Sequence, residues 1–167
     1  MKMRKFAVMG LMTLVLSTVM LWWYGYRSLR EVVYLGREGV FLQRSSYDCG
    51  DAALKMIFDH HQIAIAYDEL LARLGNSPAG ASMLSMKQLS EAKGLRCEGW
   101  RLKFEDLRRA PLPAILLLNR NHYVVLDSFT ASGEPLLRDP ARGRLRLSPR
   151  KLRSIWKGDT LLFGSSR

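Results

Sequence analysis

The stretch Gln43–His61, QRSSYDCGDAALKMIFDHH, sets the fold and raises the question of function. Cys49 lies between Asp48 and Gly50, at the point where a polar loop becomes an apolar segment. A thiol near a helix N-terminus is stabilised as its thiolate, which is the nucleophilic form. Apolar residues then recur at helical spacing and predict a helix over residues 48–61; they are Ala53, Leu54, Ile57 and Phe58. This position suits a nucleophile better than a structural cysteine.

Helices precede strands in the rest of the chain. Two further helices are predicted at Tyr67–Leu74 and at residues 84–93, each followed by a glycine stop signal. Ser148 and Pro149 form an N-cap and N1 pair that predicts a last helix, ending at residue 156. The predicted strands are residues 95–102, 114–118, 122–129, 134–139, 142–148 and 160–163. Helices first and an antiparallel sheet second predict an α+β fold.

Composition indicates one folded domain and a small extra segment. The chain has 167 residues, of which 48% are apolar, enough for a packed core. Its two cysteines, Cys49 and Cys97, form at most one disulfide and cannot supply a zinc site, so we predict no metal and no cofactor. Cys97 is predicted to be a buried strand residue, and a pairing with Cys49 stays open.

The formal net charge is +11, and much of it lies near the C-terminus. Basic residues between 138 and 157 are opposed there only by Asp139 and Asp159. Such a field attracts nucleic acid, anionic lipid or acidic peptides. Because no aromatic–basic interleaving or recognition motif accompanies it, we interpret it as a solvated face near an anionic bilayer and predict no nucleic-acid partner.

An uncharged run, residues 6–26, is long enough to cross a bilayer and ends in an aromatic cluster. A cleaved signal peptide is the alternative, but the run exceeds the usual core of about 7–15 residues and no cleavage site follows. We therefore predict an anchor within residues 1–30 and a domain over residues 31–167. The simpler arrangement keeps the short N-terminal tail in the cytoplasm, which predicts a single pass through a bacterial inner membrane and a periplasmic domain. The numbers of basic residues before and after the apolar run are nearly equal, so charge alone does not fix this orientation.

His122 is the candidate general base. It begins a predicted strand just after the turn NRN, where a side chain at a sheet edge can face a cleft. His60 and His61 lie at the far end of the Cys49 helix, roughly 16–18 Å from the thiol at about 1.5 Å per residue. They cannot reach Cys49, and we predict that they are surface residues or residues of the last helical turn.

Asp139 is the candidate for orienting the imidazole. With TASG as the hairpin loop, the register places Asp139 within a residue or two of His122 on the neighbouring strand. Asp127 is a worse choice, because it lies about 16 Å along the same strand and on the opposite face. Asn119 and Asn121 are closer to His122, so an asparagine in this role is the alternative.

Two polar residues of the loop before the helix receive roles. Asp48 is predicted to cap the helix N-terminus, since a carboxylate beside the thiol would oppose formation of the thiolate. Acyl transfer also requires hydrogen-bond donors for the oxyanion. Gln43, six residues before Cys49, has a side-chain amide that can supply one donor, and the backbone N–H of Cys49 is the natural second.

The pattern Q-x5-C-G-x-A-x-L-x-M-I, from Gln43 to Ile57, resembles the peptidase C39 family of papain-like cysteine peptidases, best known as N-terminal domains of bacteriocin and peptide-pheromone exporters. The resemblance continues through GASMLSMKQLSEAKGL, LPAILLLNRNHYVVLDS, LRDPARG and LSPRKLRSIWKGDTLLF, and covers about residues 41–163. It implies a papain-like fold with N-terminal helices packed on an antiparallel sheet. The implied site is Cys49 as nucleophile, His122 as general base and acid, Asp139 as the orienting carboxylate and Gln43 as the oxyanion donor.

The resemblance implies cleavage of a leader or precursor polypeptide after a Gly-Gly type pair, through an acyl-enzyme. The exporters fuse the domain to membrane helices and an ATPase, whereas this sequence contains no G-x4-G-K-[ST] loop. We therefore expect a polypeptide substrate, a membrane and a separate ABC transporter or secretion apparatus as partners.

Two other function classes stay open. A C39-like peptide-binding module would assist export without cleaving, but it has no need for all four candidate residues. An acyl transferase or deamidase would use the same residues with an acceptor other than water.

Overall fold

The computed structural model describes residues 15–20, 31–74 and 78–165. The elements after residue 30, in chain order, are β1 (Val32–Tyr34), α1 (Cys49–His60), α2 (Tyr67–Leu74), α3 (Met83–Ala92), β2 (Leu95–Arg101), α4 (Phe104–Leu107), β3 (Ala114–Leu118), β4 (His122–Phe129), β5 (Pro135–Asp139), β6 (Gly143–Leu147), α5 (Pro149–Ile155) and β7 (Trp156–Ser165). The predicted α+β class is confirmed, although one short strand, β1, precedes the helices and joins the sheet at its edge.

The described strands form one antiparallel sheet of seven strands, in the order β1-β6-β5-β4-β3-β7-β2. Two tight connections, β3–β4 and β5–β6, lie at the same end of this sheet because alternate hairpins of an antiparallel meander turn back at the same side. His122 begins β4 and Asp139 ends β5, so both reach that end.

Each face of the sheet carries its own apolar core. Helices α1, α2 and α3 cover one face, and their buried residues pack with Ile115, Val125, Leu161 and Phe163 of the strands. Helices α4 and α5 cover the other face through Phe104, Leu107 and Leu152, which pack with strand residues including Leu116, Leu126 and Leu137. Successive side chains of β3 and β4 point alternately into the two cores, as expected for strands that are buried on both faces.

Local sequence explains the ends of two helices. Ser82 accepts a hydrogen bond from the Ser85 N–H at 3.0 Å and begins α3 with a capping box. Ser148 accepts from the Lys151 N–H at 3.0 Å, with Pro149 in the first turn, so the predicted cap of α5 is confirmed.

Three elements differ from the sequence-based prediction. β1 (Val32–Tyr34) precedes the first predicted strand. The four-residue helix α4 was missed because it is too short to show a helical period. β7 begins four residues before the predicted 160–163 strand, because Trp156 pairs with Leu118 of β3 and Asp159 pairs with Arg101 of β2.

Most of the apolar run 6–26 lies outside the described residues. Residues 15–20 of it are described and are helical, with exposed side chains. Within residues 15–20, 31–74 and 78–165, no helix combines the length and the apolar character that a bilayer crossing requires. The membrane anchor therefore stays a prediction.

Candidate active site

Cys49 is the first residue of α1, and its side chain is buried at 6% exposure. The loop that leads to it is shaped by Asp48. The Asp48 carboxylate accepts hydrogen bonds from the N–H groups of Arg44 at 2.9 Å and Ser45 at 3.0 Å, and from the Tyr67 hydroxyl at 2.9 Å. These bonds hold the loop against α2 and fix the point at which α1 begins.

The prediction that Asp48 caps α1 was wrong. Asp48 occupies the N-cap position, but its side chain makes no cap hydrogen bond, because both carboxylate oxygens are used by the preceding loop and by Tyr67. Burial raises the pKa of this carboxyl, but the hydrogen bonds from Arg44, Ser45 and Tyr67 outweigh that effect and lower the pKa below its ordinary value.

Gly50 allows α1 to approach its neighbours closely. A Cβ at this position would lie 3.0 Å from the Cβ of Ala81 and 3.2 Å from Cδ2 of Tyr123, both tighter than ordinary carbon–carbon contact. The Tyr123 N–H in turn faces the sulfur of Cys49, with N···Sγ at 3.5 Å. The start of α1 is therefore in direct contact with the start of β4.

His122 and Asp139 form the second half of the site. The Nε2 atom of His122 lies 2.8 Å from Oδ1 of Asp139, and the Ala141 N–H donates to the same oxygen at 2.8 Å. Asp139 is 3% exposed, so solvent scarcely competes for this carboxylate. A buried acceptor with a second donor of its own fixes the orientation of the imidazole ring.

The remaining ring nitrogen, Nδ1, is the one available to the Cys49 thiol. Burial lowers the pKa of His122, but hydrogen bonds to Asp139 and Cys49 and the charges of both groups outweigh it and raise the pKa to about 9. Burial raises the pKa of Asp139, whereas the hydrogen bond and charge of His122 and the Ala141 N–H lower it overall. The arrangement favours an imidazolium beside the sulfur at neutral pH, which is what a reactive thiolate requires.

Gln43 is attached to the same region through its backbone. Its N–H donates to the carbonyl of Pro140 at 3.0 Å, directly after Asp139. The side-chain Nε2 donates to the carbonyl of Ser45, and Oε1 is buried without a hydrogen-bond partner among the described residues. The amide therefore lies inside the protein, with one N–H engaged by its own loop.

A cavity of about 340 Å³ opens beside Cys49. One wall consists of small residues, Pro78–Ala81, and Gly80 approaches the chain so closely that a Cβ there would lie 2.8 Å from the carbonyl oxygen of Tyr47. The remaining described lining residues are Ser46, Tyr47, Leu117, Arg120, Asn121 and Tyr123. The wall of this cavity on the Pro78–Ala81 side therefore carries only small side chains next to the thiol.

The other predicted residues lie away from this constellation. His60 ends α1, and His61 follows it, so the structure keeps both at the far end of the helix from Cys49. Asp127 is engaged by Arg138, whose Nε lies 2.8 Å from its Oδ1. Among the described residues, neither Asn119 nor Asn121 hydrogen-bonds to His122 through its side chain.

Cys97 is buried in β2, as predicted, and both cysteines are free. Burial raises the pKa of the Cys97 thiol to about 12, so this cysteine stays a protonated, unreactive thiol at neutral pH.

Two residues near the site were not anticipated. Tyr67 contacts Asp48 from the first position of α2, nineteen residues along the chain, and no local pattern indicates such a contact. Asp51 lies in the first turn of α1 and is 4% exposed. Burial and the nearby charge of Asp48 raise the pKa of Asp51 to about 6. A helical wheel places Asp51 near Asp48, but its burial depends on the packing of α2.

Comparison with known proteins identifies the family of this chain. Residues 37–167 match the family model described as the Peptidase C39 family. An uncharacterized protein of Methanothermobacter marburgensis is 30% identical over 129 residues, which cover 77% of this chain and 90% of that protein. The probable functional amyloid protease FapD of Pseudomonas aeruginosa is 29% identical over 127 residues, which cover 70% of this chain and 56% of FapD.

A solved structure resembles the whole domain. The crystal structure of a double glycine motif protease from an AMS/PCAT transporter, in complex with the leader peptide, superposes with a TM-score of 0.73 at 26% identity. The match covers 81% of this chain and 99% of that one. The resemblance expected from the sequence is confirmed, and so is the α+β, papain-like fold with its antiparallel sheet.

Proposed function

The chain belongs to the peptidase C39 family, and we propose that it is a cysteine endopeptidase that cleaves a leader or precursor polypeptide. The observation that carries this proposal is the juxtaposition of the three groups. The Tyr123 N–H lies 3.5 Å from the Cys49 sulfur, which brings the thiol next to the adjoining residue His122, and the Nε2 atom of His122 lies 2.8 Å from the buried Asp139 carboxylate. A thiol, a base and an orienting acceptor in this order are the requirements of nucleophilic acyl transfer.

The first step is attack on the substrate carbonyl. The Cys49 thiolate forms a carbon–sulfur bond, and the carbonyl π electrons move to the oxygen. The Cys49 N–H is suited to stabilise this oxyanion, because the first N–H groups of a helix have no partner within the helix. The second N–H of the Gln43 amide is the other candidate donor. This assignment requires the Gln43 side chain to face the cavity when substrate is bound.

Collapse of the intermediate breaks the carbon–nitrogen bond. The His122 imidazolium transfers its proton from Nδ1 to the leaving amine, and a thioester to Cys49 remains. The neutral imidazole then takes a proton from water, whose oxygen attacks the thioester. The carbon–sulfur bond breaks, the carboxylic acid product leaves, and the thiolate–imidazolium pair is restored. Asp139 stabilises the imidazolium in both halves of the cycle without itself accepting the proton.

We extend the proposal to cleavage after two small residues. A wall of small side chains at Pro78–Ala81 lies beside Cys49, and Gly80 packs closely against the carbonyl of Tyr47. The similar protease solved with its leader peptide is described as a double glycine motif protease, and we extend that class of substrate to this chain. A separate transporter or secretion apparatus would then move the product, and a periplasmic location of the domain stays a prediction.

A cleavage assay with the full chain in detergent tests the proposal. The substrate is a quenched fluorescent peptide with a central Gly-Gly pair, presented to wild type, Cys49→Ala, His122→Ala and His60→Ala. We expect both site variants to lose turnover by at least about a thousandfold, because nucleophile and base act as one unit. His60→Ala is the matched control, being a histidine at the other end of α1. Turnover by His122→Ala equal to that of His60→Ala would contradict the assignment.

Labelling with a thiol probe separates an enzyme from a peptide-binding module. Wild type should label at Cys49 quickly at neutral pH, whereas Cys49→Ala should not, since the Cys97 thiol is buried. Equal labelling of the two proteins would favour the binding module.

A further inference from the structure

Arg120 lies on the β3–β4 turn and lines the cavity beside Cys49. It is exposed, and among the described residues that line this cavity it is the single one with a cationic side chain. A polypeptide that places its scissile bond at Cys49 therefore lies near Arg120. A cation in this wall distinguishes acidic from neutral and basic substrates.

The backbone of this turn is unusual for an arginine. The Asn121 N–H donates to the Leu118 carbonyl at 3.1 Å, and the two central residues, Asn119 and Arg120, have φ values of 50° and 64°. Positive φ at both positions is the conformation of a type I′ turn, which favours glycine or asparagine. The Asn119 N–H is also held by the carbonyl of Ile155 at 2.7 Å. A strained residue that persists in such a rigid turn beside an active site is a candidate for a functional role.

The guanidinium of Arg120 forms no hydrogen bond or ion pair with the parts of the chain that the structure describes. Some other arginines are paired: Arg138 is engaged by Asp127 at 2.8 Å, and Arg153 by Glu105 at 2.8 Å. An unpaired guanidinium presents a planar set of donors that matches a carboxylate. Arg142, exposed on the neighbouring β5–β6 turn, adds a second positive charge at the same end of the sheet.

We propose that Arg120 is a specificity-determining residue that binds the carboxylate of an aspartate or glutamate of the substrate close to the scissile bond. The inference rests on the proposed function, because it takes the occupant of the cavity to be a polypeptide cleaved at Cys49. Since an extended chain advances about 3.3 Å per residue and one cavity contains both side chains, the acidic residue lies within a few positions of the cleaved pair.

A peptide scan measures this preference. Each peptide has a central Gly-Gly pair and one aspartate, asparagine or lysine at one of the four positions on either side. Wild type should cleave the aspartate peptide with a kcat/KM about tenfold above its asparagine partner at one or more positions, as expected for one charge-assisted contact at a partly exposed site. In Arg120→Asn this ratio should fall to about one, and in Arg120→Asp the lysine peptide should become the best. Asparagine and aspartate both tolerate positive φ, so the turn survives either change.

Arg150→Asp is the matched control. Arg150 is an exposed arginine at the start of α5, beyond the end of β6 that lies opposite the active site, and the substitution changes the net charge by the same amount as Arg120→Asp. It should keep the wild-type preference. An aspartate preference that is absent from wild type, or that persists unchanged in Arg120→Asn, overturns the proposal.

Alkylation of Cys49 gives a readout that does not require cleavage. Iodoacetate carries a carboxylate and iodoacetamide does not, so the ratio of their rates at Cys49, followed by mass spectrometry, reports the affinity of the cavity for an anion. This ratio should fall at least about threefold in Arg120→Asn and further in Arg120→Asp, and should stay constant in Arg150→Asp. If wild type cleaves no peptide, the proposed function fails, and an unchanged alkylation ratio then independently overturns the role of Arg120.

Discussion

Replacing Asp139 with asparagine should lower the pKa of His122 and therefore the pH up to which this residue is an imidazolium. Hydrogen bonds and charges of Asp139 and Cys49 raise the pKa of His122 from the ordinary 6.5 to about 9, although burial opposes them. At about 1.36 kcal/mol per unit, this difference corresponds to about 3 kcal/mol in favour of the imidazolium. The asparagine side chain would keep an acceptor for Nε2 but remove the negative charge.

The pH dependence of kcat/KM measures this effect. In wild type, activity should fall on the alkaline side near pH 9, where His122 loses its proton. In Asp139→Asn the alkaline limb should move down by at least about one unit, because a large part of the stabilisation of the imidazolium is electrostatic. An alkaline limb at the same pH in both proteins would refute the role of Asp139 as the charge that holds the proton on His122.

Stability should follow the same titration. A histidine whose pKa is raised by folding stabilises the protein fully below its unfolded pKa, and that contribution disappears as the pH rises through about 9. At pH 6 the free energy of unfolding of Asp139→Asn should therefore be lower than that of wild type by up to about 3 kcal/mol. This difference should shrink by pH 10. A constant difference across this range would point to packing and would contradict the titration.

Two further substitutions test the packing around the start of α1. Gly50→Ala should destabilise the fold by about 1–3 kcal/mol in urea denaturation, because the new methyl group meets Ala81 at 3.0 Å. The control is Gly164→Ala, which should be nearly neutral because a methyl group there has nothing within 4 Å. Equal effects of the two substitutions would contradict the close contact. Asp51→Asn should stabilise the protein by up to about 3 kcal/mol at pH 7.5, because burial raises the pKa of Asp51 from 3.8 to about 6 and its carboxylate opposes folding above that pH. This gain should shrink as the pH falls and vanish near pH 3, below both pKa values, where the carboxyl is protonated in both states. A loss of stability at pH 7.5 would show that the charge is compensated.

The contact between His122 and Asp139 was predictable from the hairpin, although two details of its register were wrong. Counting from Phe129 opposite Glu134 predicts Val124 opposite Asp139. The observed hairpin begins with Phe129 opposite Pro135, one residue later, and an irregularity between Leu126 and Ser128 restores the count, so that Val125 pairs with Arg138. The two errors cancel at the site, because a bulge shifts the register by one residue.

Helices with strong periods and caps were equally predictable. The predicted bounds of α2 agree with the structure, and those of α1 and α3 differ by one residue at each end. Asp48 shows the limit of such reasoning. A carboxylate just before a helix predicts a cap, but the N–H groups of the preceding loop and the hydroxyl of Tyr67 compete for the same oxygens. Which partner wins depends on where α2 packs.

The sequence by itself determined most of the element order, the place of Cys49 at a helix start and the family, because short-range periodicity, capping and motif spacing are written along the chain. Tertiary structure alone decided which groups surround the sulfur. The contact of Tyr123 with Cys49, the burial of Asp51 and the place of Arg120 in the cavity wall each depend on segments far apart in sequence. Burial and charge at those points depend on three-dimensional packing, which no local pattern records.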